Sequence, residues 1–577
     1  MMCAPLLAIL LLAHLAGAAG TLAKNYAGQP GYPTPDAWTA LNSTLGGRLI
    51  HYVPAGHVCY GAAYNRPACL NYLFQWRNAS WTGDDPGMTG APFWAGNPCP
   101  PIGLMDPVGP EGGCTLGRYP EYVVRVKGKA DVSAALRFAA KWNVRVVVKN
   151  TGHDFLGRNL GVGALSIWTR HLKGLQWFDA WKPSVGNYSV GANQTAIRIG
   201  AGMTWNEVND IVVKRGYIVV SGAEGTVGAA GGWMGGGGHG PYSNQYGFGV
   251  ENVLELDVVL PTGEPVIVNK VSYPDLFRAL RGGGSSTYGI VTAVTYKIYP
   301  KPPSSLIMIN ALADPRDRTP FFKAMAYFFA KTPEMNDFGL SGYPWLTWTN
   351  YAGTLQAPGK TDAELKAFID PIIARMQSYG CFVSAVPVNS SVLDLVPGGV
   401  ANGLSGVAQV FFAYSMGSRL LARSALNEGN MPAIEKMLRT TLTDKTYLMP
   451  YPNIPGAAHA NRSWDDIGLN PAWKKASTHV LVMANDDTFQ NLPRLNRDMV
   501  DKYIPALDAL SENHGAYINE ASKYEKDWKT TFYGGGAHYE SLLTVKRKYD
   551  PKNVLWCHPC VGGDVFVEGD GGRLYLP

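Results

Sequence analysis

Residues 146–163 constrain this chain more than any other stretch, because a β-branched run, Val146-Val147-Val148, leads into a tight turn carrying one histidine, His153. The run reads as a fully buried strand. Gly152 lets the backbone turn sharply or approach a ligand closely, leaving successive N–H groups free to face an anion such as a phosphate. A strand-to-loop turn with a hydrogen-bonded histidine is the plainer alternative. Two further segments favour a cofactor site.

The first, residues 222–240, holds too many glycines for a stable helix or strand interior, where each costs about 0.5–1 kcal/mol relative to Ala. Such a cost implies a close ligand or backbone contact. Gly235, Gly237 and Gly240 satisfy G-x-G-x-x-G, yet Pro241 and Ser243-Asn244-Gln245 follow where a Rossmann fold needs an amphipathic helix. A nicotinamide-type Rossmann site is therefore disfavoured. The second segment, residues 276–292, reads as a helix end, a glycine turn and a strand start; alone it would be an ordinary connection.

With 577 residues the chain is too long for one ordinary core, so two or three structural units are expected. Charged residues make up only 16%, and the net charge of +6 is spread without a Lys/Arg block, so nucleic acid is not an expected partner. The apolar run from Leu6 to Leu12, followed by small residues, has the layout of a secretory signal cleaved near Ala18, and it is far shorter than a bilayer span. No other stretch is long and apolar enough to form a stable membrane span. Sequons at Asn42, Asn78, Asn187, Asn193, Asn389 and Asn461 fit a secreted glycoprotein.

Outside the leader lie Cys59, Cys69, Cys99, Cys114, Cys381, Cys557 and Cys560, an odd set that leaves at least one thiol free or unexpectedly paired. The pair Cys557-His558-Pro559-Cys560 could be half of a zinc site, but no second Cys-x-x-Cys or suitably spaced histidine pair exists. Structural disulfides and no metal are expected.

Residues 1–18 are read as the signal peptide and residues 19–115, rich in Pro, Gly, Trp and Cys, as an irregular, disulfide-tied extension. A β-α-β pattern follows: a strand at 122–126, a helix at 130–142 and a strand at 144–148. Residues 116–300 form one unit, with further strands at 164–167, 196–200, 217–220, 253–260 and 290–298 and a helix at 205–215. Residues 301–510 read as a second α+β unit, with strands at 304–311 and 407–414 and helices at 319–331 and 361–378. The tail, 511–577, carries a helix at 538–548 and rejoins the first unit.

Several segments taken in order carry a resemblance: Asn150-Thr151-Gly152-His153-Asp154, residues 246–255 around Asn252, residues 280–291 ending at Val291, Tyr517-Ile518-Asn519-Glu520, and residues 549–562. Together they resemble the berberine bridge enzyme-like branch of the vanillyl-alcohol oxidase (PCMH-type) flavoprotein family, particularly its secreted fungal members, some described as isoamyl alcohol oxidases. The fold class implied is α+β, with a two-subdomain FAD-binding domain of PCMH type and an α+β substrate domain whose antiparallel sheet covers the isoalloxazine.

The resemblance further implies that His153 bonds covalently to the flavin, while backbone from Lys149 through Asn150, Thr151 and Gly152 to Asp154 cradles the pyrophosphate. An imidazole substituent withdraws electrons from the ring and fixes its position, which favours hydride acceptance. Further cofactor contacts are expected from Thr226, Val227, Gly228, Gly231, Gly232, Gly238, Asn252, Val291 and Asn519. Bicovalent members carry a cysteine where this chain has Glu224, so a single covalent link is expected.

Oxidation needs an oxygen or nitrogen base near the flavin, and Tyr517 and Glu520, expected on a C-terminal strand, are the candidates. His239 closes the glycine run and His538-Tyr539 stand where relatives often have Asn-Tyr; either histidine could equally be a packed, hydrogen-bonded residue, and none is assigned to catalysis. The expected reaction is oxidation of an alcohol or related carbon centre of a small molecule, a fungal secondary-metabolite intermediate being one candidate substrate, with dioxygen accepting the electrons. Carbohydrate oxidation, a flavin-scaffold or oxidative cyclase, and a flavin-containing binding glycoprotein without turnover are the alternatives.

Overall fold

The strand that precedes His153 closes one edge of a mixed sheet. In the computed structural model, which describes residues 21–101, 113–189, 193–389, 413–460, 462–486 and 489–577, this sheet comprises β1 (Leu49–His51), β2 (Tyr122–Arg125), β3 (Val146–Lys149) and β4 (Leu165–Trp168). Their order is β1-β2-β4-β3, with β4 parallel to both β2 and β3. Parallel pairing requires a crossover, and the helix Lys129–Trp142 supplies it between β2 and β3. Val132, Ala135, Leu136 and Ala139 recur at helical spacing and are all buried; Asn143, in the left-handed region, ends the helix. The expected leader at 1–18, the sequon at Asn461 and most of the strand expected at 407–414 lie outside the described residues.

A second sheet contains β5 (Leu175–Phe178), β6 (Ala196–Gly200), β7 (Val253–Val259), β8 (Pro265–Val268) and β9 (Ile290–Lys297), all antiparallel in the order β5-β6-β9-β7-β8. Every residue of β7 is buried, including two carboxylates that therefore need partners. Glu255 accepts from Asn269 Nδ2 at 2.9 Å and Ser184 N at 3.0 Å, and Asp257 pairs with Arg198 at 2.8 Å.

The third sheet takes in β10 (Ser304–Leu312), β11 (Ser341–Gly342), β12 (Trp345–Leu346), β13 (Asn350–Pro358), β14 (Phe382–Val388), β15 (Ala413–Ala422), β16 (Thr446–Tyr451) and β17 (Ala476–Asp486). Its order is β14-β10-β13-β12-β16-β17-β15, with β11 also on β13. Period-two alternation divides it. Ile307, Ile309, Leu355, Val480 and Val482 pack in one core with helices Thr319–Ala330, Asp362–Ser378 and Met431–Thr441. Met308, Asn310, Met449 and Leu481 face the opposite way and line a cavity shared with the first two sheets. The α+β class with an antiparallel covering sheet is thus the architecture found.

The N-terminal segment is more regular than its composition suggested. Helices Pro35–Thr44, Arg66–Gln75 and Ala79–Asp84 begin at Thr34, Asn65 and Asn78, whose side chains each accept from backbone N–H groups of the first turn. Their starts are written in caps, not in apolar periodicity. Disulfides join Cys59 to Cys69, Cys99 to Cys114 and Cys557 to Cys560, and Cys381 is a buried free thiol. Among the described residues, no helix is long and apolar enough to cross a membrane.

The tail returns to the first unit through the helix Gly536–Tyr549. Buried Lys546 donates to Thr287 O at 2.9 Å, to Leu555 O at 2.7 Å and to Asp550 Oδ2 at 2.5 Å. Breaking a buried pair by removing one partner strands the other charge. Lys546→Ala is therefore expected to lower unfolding free energy by about 3–5 kcal/mol, measured by denaturant titration, and a loss below about 1 kcal/mol would contradict this account.

Candidate active site

The turn after β3 is shaped by Gly152, whose φ of +82° only glycine adopts readily, and a Cβ there would stand 2.9 Å from Met88 O. Its carbonyl accepts from Gly90 N at 2.9 Å and Thr89 Oγ1 at 3.1 Å, which pins the turn to the N-terminal segment. Asn150 Nδ2 donates to Ala201 O at 2.7 Å, while its Oδ1 is buried without a protein partner. Residues 149–154 line one side of a cavity of about 710 Å³, a size suited to a large cofactor together with a substrate.

Lys149 contributes only its backbone. Its side chain runs away from the cavity to the carbonyls of Thr82 at 3.2 Å, Gly83 at 3.4 Å and Asp85, and burial pushes its pKa down to about 8. His153 Nε2 lies 2.7 Å from Thr226 Oγ1, and that hydroxyl donates to Glu224 Oε1 at 2.7 Å. A hydroxyl has one proton, so Thr226 accepts from Nε2–H and Nδ1 of His153 keeps its lone pair. Burial lowers the His153 pKa, which favours this neutral form.

The glycine-dense segment forms the cavity's opposite wall through Val227, Gly228, Gly231 and Gly232, with Val291 of β9 nearby. A Cβ on Gly231 or Gly232 would meet no protein atom within 4 Å, so both leave open space where the cavity lies. Three expected contacts are not found there. Thr226 does not line the cavity and reaches it only through its hydrogen bond to His153. Gly238 packs under Trp233, and Asn252 is fully buried outside the cavity, its amide donating to Phe248 O at 2.9 Å and its Oδ1 accepting from Tyr299 at 2.6 Å. Asn252 thus ties a turn to the chain beyond β9; the motif around it is a packing signal.

Tyr517, Asn519 and Glu520 all line the cavity, although Ile518–Glu520 is a short 3-10 turn and not the expected strand. Asn519 Nδ2 donates to Gly232 O at 2.8 Å and to Tyr517 Oη at 2.9 Å, coupling the tail to the glycine wall. Arg158, absent from the sequence reading, pairs with Asp154 at 2.7 Å and donates to Asn519 Oδ1 at 3.0 Å. Its Nη1 is buried without a partner, which leaves a positive donor available at the cavity.

At the inner end His239 and Glu520 line the cavity, and His479 of β17 lies fully buried beside them. Glu520 Oε2 stands 3.7 Å from His239 Nε2 and 3.5 Å from His479 Nδ1, longer than well-formed hydrogen bonds. These atoms and His479 Nε2 lack protein partners. Orphaned buried polar atoms require a ligand, a water or an ion. All three residues offer donor atoms within 4.8 Å of one another, so they could also hold a divalent cation, which the expectation of no metal did not foresee. They come from three distant segments, and no spacing rule reveals them.

Burial pushes the His479 pKa down to about 3, keeping that imidazole neutral. Burial would raise the Glu520 carboxyl, but the two histidines outweigh it and hold it below its ordinary value. Tyr517 goes the other way: burial, then the nearby Glu520 charge, push its phenol far up. Of the two proposed bases, Glu520 is ionised and Tyr517 is a proton donor. His538 Nδ1 lies 2.8 Å from Tyr533 O and does not line the cavity.

A family model described as "FAD binding domain" matches residues 120–269, and one described as "Berberine and berberine like" matches residues 516–562. An uncharacterized FAD-linked oxidoreductase of Arthroderma benhamiae is 32% identical over 93% of this chain and 93% of its own. The chain belongs to the FAD-linked oxidoreductases of the berberine bridge enzyme-like family. The oxidoreductase is also 31% identical to FAD-linked oxidoreductase ZEB1 of Gibberella zeae, over 96% of this chain and 94% of the relative. The crystal structure of VAO-type flavoprotein MtVAO615 from Myceliophthora thermophila superimposes with a TM-score of 0.85 at 28% identity, covering 96% of this chain and 100% of that one.

The 710 Å³ cavity, the bare glycine wall and the unpartnered Asn150 and Arg158 atoms fit an FAD bound along the turn of residues 149–154. The oxidoreductase's cradle can be tested apart from its stability. A Cβ at position 232 meets no protein atom within 4 Å, so Gly232→Val should fold yet purify with less than about a tenth of the FAD, read from absorbance at the flavin maximum. Full flavin content in the variant would remove Gly232 from the cradle.

Proposed function

We propose that this oxidoreductase removes a hydride equivalent from an alcohol or related carbon centre of a small molecule and passes the electrons to dioxygen. One observation carries the reading: the His153 turn and the ionised Glu520 open onto the same cavity. Bound there, the isoalloxazine supplies the hydride acceptor. Glu520 accepts the substrate's hydroxyl proton, because it is the ionised oxygen base at the cavity's inner end. Tyr517 stays protonated, accepting from Asn519 Nδ2 at 2.9 Å and donating to Trp233 O at 3.3 Å, and so braces the cavity wall beside Glu520. The rings of Tyr343, Tyr451 and Trp473 crowd His239 at 5.5 to 6.2 Å and exclude bulk water from the exchange.

We further propose that His153 carries the flavin covalently through Nδ1, with Thr226 and Glu224 holding the required tautomer. The residue at the bicovalent cysteine's position is therefore a hydrogen-bond acceptor that orients the histidine. Passage through an oxidising secretory compartment is part of the same reading. Three disulfides support it, as do the exposed sequon residues Asn187, Asn193 and Asn389; Asn42 and Asn78 are half-buried.

Acid-precipitated protein should keep its yellow colour in the pellet, and His153→Ala should release it to the supernatant. Thr226→Val removes the bridge and should leave a larger fraction of flavin non-covalent, whereas an unchanged pellet in both variants would end the proposal. Peroxide release with a panel of alcohols tests the reaction. Because the Glu520 carboxyl lies below its ordinary value, its ionised form is lost only as pH falls through that depressed pKa. kcat/KM should hold level from neutral down past the usual glutamate range of about 4.3, and Glu520→Gln should lower it about 10²–10⁴-fold. An acid limb near pH 6.5 that survives Glu520→Gln would assign the base elsewhere.

A further inference from the structure

The sheet that roofs the cavity changes character from its inner end outward. β16 and β17 pair so that Tyr451 lies opposite His479, Met449 opposite Leu481 and Tyr447 opposite Met483; Met416 of β15 continues that last rung. Rungs on one face are two residues apart, so these three span about 13 Å. The inner rung is polar and borders Glu520. The outer two present Met449, Leu481, Met483 and Met416 to the cavity, with Tyr447 beside them.

On the flank Met308 and Trp345 stay about 40% and 41% exposed and the Trp345 ring stacks on Tyr447 at 5.0 Å, while Asn310, Thr354 and Gln356 of the neighbouring strands add the sheet's uncharged polar groups to the lining. Among the described residues, the sheet contributes no Asp, Glu, Lys or Arg to the cavity lining. Phe93 and Phe155 pack from other segments against Tyr414 at 4.7 and 6.1 Å, on the next rung outward, where Tyr414 lies opposite Asn485. A sugar would need a hydrogen-bonding partner at each rung, and thioether and isobutyl groups supply none. Methionines instead adapt their shape to a flexible apolar chain.

We propose that this wall is a subsite for an unbranched aliphatic body, making the substrate an amphipathic alcohol. Its carbinol lies at Glu520 and its chain runs outward along Met449, Leu481 and Met483. The carbinol's placement rests on the oxidase reading above; the wall's affinity for an alkyl chain does not. Chain length then sets affinity, because each added methylene leaves water for the methionine face until the 13 Å run is filled.

The test titrates the flavin-loaded protein with a homologous series from 1-butanol to 1-decanol, following the flavin absorbance spectrum. Kd should fall about fourfold per methylene and then level off, and cellobiose should leave the spectrum unchanged. Met483→Gln, which replaces the thioether with an amide of similar length, should flatten the dependence. A Kd independent of chain length, the absence of any alkanol binding, or a cellobiose response tighter than that of 1-octanol would overturn the proposal. Should the variant fail to fold, the wild-type series alone decides. Alkanols that bind with the expected slope but leave the flavin oxidised under anaerobic conditions would refute the oxidase reading and leave the subsite standing.

Discussion

The buried ammonium of Lys546 is the constraint on which the site's assembly depends. It satisfies two carbonyls and the carboxylate of Asp550, and one of those carbonyls belongs to Thr287, in the glycine turn before β9. Asp550 in turn accepts from Val554 N and Leu555 N at 2.9 Å, so a single ion pair sets the path of the chain after its helix. Because the tail is held in this way, Tyr517, Asn519 and Glu520 stand between the glycine wall and the covering sheet. Neither half holds a complete set of polar groups alone.

Within that frame, two neighbours in sequence acquire opposite protonation. Tyr517 is buried and Glu520 half-buried, its side chain 23% accessible, and enclosure pushes each pKa upward. The difference is the company kept. Two imidazoles face the carboxylate and reverse its shift, whereas the carboxylate itself adds to the penalty on the phenol. Two groups three residues apart are thereby held in opposite protonation states at one cavity.

Much of this was legible in the residues. The β-branched run, the glycine turn and His153 mark the cofactor side, and strand 196–200 coincides with its observed element because apolar alternation and flanking turns agree. Segments that act through packing against distant chain were harder to read. His479 sits in an eleven-residue strand whose neighbours Val480 and Val482 are core, so sequence shows it only as an interruption in a buried run. Arg158 carries no motif of its own and matters because Asp154 and Asn519 hold it. Asn252 misled in the opposite sense: it belongs to a recognisable segment, but its hydrogen bonds are spent on turns.

The side chain of Lys149 has a consequence for how such a protein can be divided. Its ammonium ends among main-chain oxygens of residues 82, 83 and 85, at the end of the helix Ala79–Asp84. Cut away, that part would leave a cation in an apolar enclosure directly beneath the histidine loop. The amino-terminal stretch and the turn of residues 149–154 are therefore held as one piece, and a chimera joining one chain's front to another's His153 turn must carry both sides of this contact.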